Sequence, residues 1–222
     1  MARTSGPETR EKLIRAAEEV FSAQGVDGAQ LRDVVRLAGQ GNPSAVQYHF
    51  GSRTGLLDAV MAGRQARTEQ VLAPLLSQLP EAASVRELVT VLVAAEATEL
   101  ADARGLRCLR ISAQLSHESG VRSRTPHPTL AGTAYWRLIE RVESALVRDA
   151  LPEALRLERL DLALTLIGAA LADRARQVLA GVTPLTTPNV FLADLVETTT
   201  ALLGAPHTHV PENPPEHLPH VS

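Results

Sequence analysis

Apolar residues recur at three- and four-residue intervals along most of this chain, and no segment shows the strict alternation of a half-buried strand. In EKLIRAAEEVFSAQ, residues 11–24, the apolar positions follow helical spacing, and Gly25 then marks a helix stop. With 222 residues, of which 45% are hydrophobic, the chain can build one large core or two smaller ones. The periodicity therefore predicts an all-α fold.

Composition argues against several classes of protein. No apolar run reaches the roughly 18–20 residues that cross a bilayer, and the first residues lack the apolar stretch of a signal peptide, so we expect no membrane partner. The single cysteine, Cys108, cannot form an intrachain disulfide, which favours a reducing cytoplasm. The net charge of −3 gives no global signature of nucleic-acid binding. Because phosphate-binding glycine loops, zinc-ligand spacings and hydrolase motifs are absent, we expect no enzyme, no cofactor and no metal site.

Short helices are predicted at the N-terminal end. They cover residues 11–24, 31–38 and 43–50, and a longer helix capped by Ser52 runs toward Leu79. Asn42 is a good N-cap for the third helix, since a proline follows it at the first helical position.

Longer helices are predicted for the rest of the chain. They cover residues 84–103, 105–116, 130–150, 155–180 and 188–203. Ser84 and Glu87 form a capping box at the start of the first of them, and Thr187 caps the last. The Pro- and His-rich tail is expected to be disordered, and its histidines are not expected to form a metal site. The predicted organisation is a small N-terminal domain over residues 1–57, a larger helical domain over residues 58–204, and a tail over residues 205–222.

Two short helices joined by a glycine-containing turn, after a first packing helix, are typical of a helix-turn-helix. In such a unit the second helix enters the major groove, with an apolar back and a small, polar front. Val46 and Phe50 lie four residues apart and predict the back of this reading helix. Arg53 follows in the first turn of the next helix, where free backbone N–H groups favour a bound phosphate.

The residues of this segment resemble the DNA-binding domain of the TetR (tetracycline-repressor) family. The resemblance covers about residues 9–57 and includes LI-AA--VF---G from Leu13 to Gly25, and then AV-YHFGSR--LL from Ala45 to Leu57. It implies an all-helical homodimer that binds a palindromic DNA operator, usually as a repressor, and leaves it when a small-molecule effector binds the C-terminal domain. The predicted DNA-binding residues are Gln30, Asn42, Ser44, Ala45, Gln47, Tyr48, His49 and Arg53.

The chain also departs from the family pattern. Ala29 and Gln30 stand where the family usually opens its second helix with Thr or Ser. Gln47 stands where a backbone-contacting Tyr is usual, with Tyr48 next to it. The turn Gly39–Gly41 is one residue longer than usual, and Arg53 replaces a usual Lys, which leaves its phosphate role intact.

Two further sets of residues are predicted in the C-terminal domain. A pocket for an effector needs an apolar lining with a few polar groups. Its candidate polar groups are Gln114, His117, Tyr135 and Trp136. The last two helices are strongly apolar and predict a surface for self-association, although completing the core would explain them as well. The predicted dimer-interface residues are Leu164, Ile167, Leu171, Phe191, Leu195 and Leu202.

Other interpretations remain open from the sequence. A helical scaffold for protein–protein interactions and a nucleoid-type DNA-binding protein without ligand response would share much of this pattern. Three arginines on one predicted helix are spaced three residues apart: Arg104, Arg107 and Arg110. Three interpretations of them stay open, namely a solvated row of charges, a binding site for an acidic effector and a contact with the N-terminal domain. Cys108 lies in the same helix and is expected to be a buried, unreactive thiol.

Overall fold

The structure is a computed structural model, which describes residues 6–42, 44–115, 120–147 and 151–207. All regular structure in these ranges is helical, which confirms the predicted all-α class. The helices are α1 (Gly6–Gln24), α2 (Leu31–Leu37), α3 (Ala45–Phe50), α4 (Arg53–Gln78), α5 (Val85–Ala97), a short 3-10 helix (Thr98–Ala101), α6 (Ala103–Gln114), α7 (Ala134–Val147), α8 (Glu153–Leu179) and α9 (Pro188–Leu203).

The N-terminal helices form a small unit, called the head here, that consists of α1, α2, α3 and the first turns of α4. Its core contains Leu13, Phe21 and Val34, with Val46 from α3 and Leu56 from α4. These are the apolar positions that the helical spacing predicts to face inward. The remaining helices build a second, larger core, and we call them the bundle.

Helix α4 belongs to both units. Its buried positions are spaced four residues apart, and Leu56 and Val60 lie in the core of the head whereas Leu72 and Leu76 lie in the core of the bundle. The helix continues past Pro74 to Gln78. The domain boundary predicted at residue 57 thus falls inside a continuous helix, which stiffens the connection between head and bundle.

The predicted caps shape the ends of several helices. Ser84 and Glu87 form the complete capping box, and the side chain of Thr187 accepts a hydrogen bond from the backbone N–H of Val190. The helix predicted over residues 84–103 is interrupted after Ala97, however, because the chain tightens into the 3-10 helix before α6 begins. Asp102 then caps α6 by accepting from the N–H of Gly105.

Helix α6 joins the head to the bundle. Cys108 and Ile111 are fully buried in the core of the head, while Leu106 and Leu109 on the same helix lie in the core of the bundle. Burial raises the pKa of the Cys108 thiol, so the thiol stays protonated at neutral pH. The head therefore completes its core with Cys108 and Ile111, which come about sixty positions after the end of α3 at Phe50.

The arginine row of α6 is bound by an acidic row on α1. The Nε of Arg104 lies 2.8 Å from a carboxylate oxygen of Glu18, whose side chain is only 2% exposed. Arg107 lies 3.5 Å from Glu19, whose side chain is 51% exposed. Contact with the N-terminal domain is thus the alternative that the structure supports for Arg104 and Arg107.

No helix in the described ranges is long and apolar enough to cross a membrane.

These two ion pairs predict unequal effects of substitution. Arg104→Met leaves the Glu18 carboxylate buried without a counter-charge, so the free energy of unfolding should fall by about 3 kcal/mol. Arg107→Met removes an exposed pair on the same helix, so it should cost less than about 1 kcal/mol. Urea unfolding followed by circular dichroism measures both values. Equal losses in the two variants would contradict the structural importance of the Glu18 pair.

Candidate nucleic-acid interface and effector cavity

The reading helix α3 is short and has a defined start and end. Before it, the side-chain oxygen of Asn42 accepts a hydrogen bond from the N–H of Ser44 at 2.9 Å, which fixes the turn that opens the helix. After it, Gly51 adopts φ 72°, and its N–H closes the last turn on the carbonyl of Gln47. A left-handed residue of this kind is favourable only for glycine, which explains why the Gly-Ser step follows the aromatic pair.

The inner face of α3 holds the helix to the head. Val46 is buried as predicted, and Phe50 is half-buried with the guanidinium of Arg10 5.1 Å from the centre of its ring. Ala45 also lies in the core of the head. The prediction that Ala45 faces the duplex therefore needs correction, because its methyl group packs against the supporting helices.

The outer face of α3 is polar and open to solvent. Ser44 and Gln47 are exposed, and Tyr48 is 84% exposed, which is unusual for an aromatic side chain. The ring of Tyr48 meets the half-buried ring of His49 edge-on, with their centres 4.9 Å apart. Within the described part of the chain, no hydrogen-bond partner of the Tyr48 hydroxyl is found. This face is a surface that presents donors and acceptors to a partner.

Arg53 and Gln30 occupy the edge of this surface. Arg53 donates hydrogen bonds to the backbone carbonyls of Val26 and Ala29, the second at 3.2 Å, and its guanidinium lies 5.5 Å from the ring centre of Phe21. Arg53 thus holds the α1–α2 loop, a role that the sequence does not indicate because its partners lie 24 and 27 residues away. Its contact with a phosphate stays a prediction, as does that of the exposed Gln30.

Sequence reasoning missed two basic residues on α2. Arg32 and Arg36 are exposed and line a groove beside the turn Gly39–Gly41 that leads into α3. The side chain of Arg36 is 83% exposed and lies 3.2 Å from Asp33. The signal for them was available, since both arginines fall between the buried positions of a short amphipathic helix.

A cavity of about 350 Å³ lies between the head and the bundle. Its apolar lining comes from both units, with Leu57 and Met61 on α4 and Leu92, Leu164 and Ile167 in the bundle. A volume of this size is within the range of small-molecule sites. One wall is closed by a hydrogen bond in which the N–H of Val26 donates to the side-chain oxygen of Gln114 at 2.8 Å.

The polar part of the cavity lining contains a buried ion pair. The guanidinium of Arg64 is hydrogen bonded to Glu96, and both side chains are less than one-tenth exposed. Burial lowers the pKa of Arg64, but the nearby Glu96 and Glu99 carboxylates outweigh it, so that pKa is raised overall. Burial raises the pKa of the neighbouring Tyr135 hydroxyl, which therefore remains a neutral donor. Arg64 and Glu96 occupy buried positions among the apolar residues of α4 and α5. A charged residue at such a position in the sequence indicates a polar site within the core.

Comparison with known proteins addresses the head directly. Residues 13–60 match the model of the family described as bacterial regulatory proteins, tetR family. The head is therefore similar to the N-terminal domain of tetR-family regulators. Over 67 residues it is 45% identical to the HTH-type transcriptional regulator SrpR and to the uncharacterized HTH-type transcriptional regulator TtgW, both from Pseudomonas putida. Each alignment covers 30% of this chain, and the chain spans 31% of the first relative and 49% of the second.

Solved structures extend the likeness from the head to the fold of most of the chain. The fatty acid degradation regulator FadR from Bacillus halodurans superimposes with a TM-score of 0.53, over 91% of this chain and 98% of that one. Sequence identity to it is 15%, so the likeness concerns the fold alone. The helical bundle is thus shared even where the C-terminal sequence is not.

The four residues predicted to contact an effector do not all line the cavity. Gln114 and Tyr135 line the cavity, whereas Trp136 is buried in the core of the bundle and does not. His117 lies outside the described residues. Arg64, Glu96 and His127 are lining residues that were not predicted. Among the described residues, no group of His, Cys, Asp and Glu side chains is arranged to hold a metal ion.

The predicted dimer-interface residues also differ in their exposure to solvent. Four of the six are buried in the core of the same chain: Leu164, Ile167, Leu171 and Leu195. The prediction is corrected for these four, because they offer no surface to a partner. Phe191 and Leu202 are half-buried, and Phe191 has the guanidinium of Arg174 4.1 Å from its ring centre. Apolar periodicity identified the helices, but it does not distinguish the side that faces the core from the side that faces solvent.

Proposed function

We propose that the chain is a DNA-binding transcriptional repressor of the cytoplasm, rather than an enzyme, which binds a palindromic operator as a homodimer and is released by a small-molecule effector. The observation that carries the proposal is the outer face of α3, where Gln47 and Tyr48 project from a helix that Val46 anchors to the head. A side-chain amide is suited to pair with adenine, and a phenol donates to phosphate oxygens. The tetR-family model matched by the head supports the same role.

Contacts with the DNA backbone are assigned to the basic residues near the reading helix. Arg32 and Arg36 flank the turn before α3, and both are free to reach solvent. Positive side chains at the edge of a groove-binding helix fix its register by binding phosphates. Arg36 is the better probe of this role than Arg53, since Arg53 also holds the α1–α2 loop.

Selection of bound sequences from random duplexes tests the proposal on the full chain. We expect a palindrome whose half-sites lie about 34–36 Å apart, the spacing of one helical turn. Gln47→Ala should relax the preference at one position of each half-site and cost about 1–3 kcal/mol there, because one base contact is lost. Arg36→Ala should weaken all sites alike and reduce the salt dependence by about one phosphate per head.

Arg137→Ala is the control, because Arg137 is exposed as Arg36 is but lies on α7, outside the head and outside the helices assigned to self-association. Its affinity and sequence preference should equal those of the unchanged chain. Recovery of no palindromic sequence, or the same losses in Arg137→Ala as in Arg36→Ala, would contradict the proposal.

Self-association is assigned to the outer sides of α8 and α9. Leu162 on α8 and Val190 on α9 are half or more exposed, and Leu185 between the helices is fully exposed. Val178 and Val182 add to the same exposed apolar set. Exposed apolar side chains concentrated on one helix pair favour burial against a second copy, and two-fold dimers are the commonest closed assemblies.

Substitution of Val190 tests this interface. Val190 is 54% exposed, so Val190→Glu should leave the fold intact but place a charge in the interface and shift the protein to monomers in sedimentation velocity. Val147 on α7 is 51% exposed, and Val147→Glu should remain dimeric. A dimeric Val190→Glu variant, or a monomeric unchanged chain at micromolar concentration, would oppose the assignment.

Release by an effector is assigned to the cavity between the head and the bundle. Its lining includes Val26 and Gln114, the two residues whose hydrogen bond connects the α1–α2 loop of the head to the end of α6. A ligand that binds one spacing of the two heads better than another shifts the population toward that spacing. Such a shift weakens operator binding when the favoured spacing does not match the half-sites.

A further inference from the structure

Arg64, which lines the cavity, has a hydrogen-bond donor that the described residues do not use. The Nε–H of Arg64 is buried and has no acceptor among the described residues, although Arg64 is only 5% exposed. Buried donors of charged groups are nearly always satisfied, so an unpaired one calls for a missing acceptor. Tyr135, which also lines the cavity, has a hydroxyl with no hydrogen-bond partner in the described ranges.

The charges around this donor are already balanced. Arg64 is paired with Glu96. The carboxylate of Glu69 accepts from the backbone N–H groups of Ala134 and Tyr135 at the start of α7, at 2.7 and 2.9 Å. A carboxylate entering the cavity would meet Glu96, and an ammonium would meet Arg64. Either ion would lose its water without gaining a free counter-charge, which makes its burial unfavourable.

The acidic residues nearer to solvent do not change this balance. Asp27 is exposed and Asp58 is half-buried, and both line the cavity without an ion pair in the described part of the chain. Because both face solvent, screening weakens their effect on a charged ligand of either sign. The rest of the lining combines large apolar side chains with polar ones. The apolar ones include Leu57, Met61, Leu92, Leu115, Leu164 and Ile167, and the polar ones include Gln65, Gln114 and His127.

We propose that the cavity binds an uncharged, mainly apolar small molecule with one hydrogen-bonding head group, whose oxygen accepts from Arg64 and Tyr135. Phenols, alcohols and carbonyl compounds have this chemistry. The inference rests on the proposed function insofar as it names the effector class, but binding at the cavity is measurable without DNA. The apolar body of the ligand fills the space between α4, α5 and α8, and the head group satisfies the unused donor.

Three probes that share a naphthalene ring test the charge preference. 1-Naphthol, 1-naphthoate and 1-naphthylmethylammonium are titrated by calorimetry at pH 7 into the full chain without DNA. We expect 1-naphthol to bind at least about tenfold more tightly than either ion, the penalty of an unpaired charge in this lining. Equal or tighter binding of an ion, or no binding of 1-naphthol at millimolar concentration, would overturn the proposal.

Two variants test the assigned residues. Tyr135→Phe should weaken 1-naphthol binding about five- to tenfold, since one neutral hydrogen bond is lost. Thr199→Val is the matched control, because it removes another buried hydroxyl without a partner, on α9 and outside the cavity. It should bind 1-naphthol as the unchanged chain does. Equal weakening in both variants would contradict the role of Tyr135.

Glu96→Gln gives a gain-of-function readout that a purely structural role would not produce. The change leaves the positive charge of Arg64 unpaired, so the variant should bind 1-naphthoate at least about tenfold more tightly than the unchanged chain does. No gain for 1-naphthoate in a folded Glu96→Gln variant would contradict the charge balance.

Selection of operator sequences with the same preparations separates the two proposals. A chain that binds 1-naphthol but no palindrome retains the cavity and refutes the repressor.

Discussion

The packing of α6 against α1 is the contact on which the rest of the structure depends. A head of this size buries little apolar surface alone, and it completes its core with Cys108 and Ile111 from α6. The buried carboxylate of Glu18 finds its counter-charge in Arg104, also on α6. A head that separated from the bundle would expose apolar surface and leave the buried Glu18 carboxylate without its counter-charge, so separation of the two units is unfavourable.

The α1–α2 loop is the place where this connection reaches the DNA-facing surface. The N–H of Val26 donates to Gln114 at the wall of the cavity, and the carbonyl of the same residue accepts from Arg53 next to α3. One residue is therefore held from the cavity side and from the side of the reading helix. A ligand that displaces Gln114 would loosen the loop on which Arg53 depends, which couples the cavity to operator binding by direct contacts.

The sequence predicted those features of the fold that depend on residues close together in the chain. Caps at Ser84 and Thr187, and the inward position of Val46, depend on neighbours within one or two turns, and the structure has them. The role of Arg53 depends on carbonyls 24 and 27 residues away, so no local pattern reveals it. Leu171 was assigned to an interface because apolar spacing does not say which surface covers a helix, and it lies in the core of the chain.

Amide hydrogen exchange at Val26, combined with operator affinity, tests the coupling through Gln114 most directly. In Gln114→Leu the loop loses its acceptor, so exchange at Val26 should be about fivefold faster and operator affinity about fivefold weaker, the effect of one hydrogen bond. Gln78→Leu removes an exposed glutamine at the end of α4, outside the cavity lining, and it should change neither value. Unchanged exchange and affinity in Gln114→Leu would contradict the account.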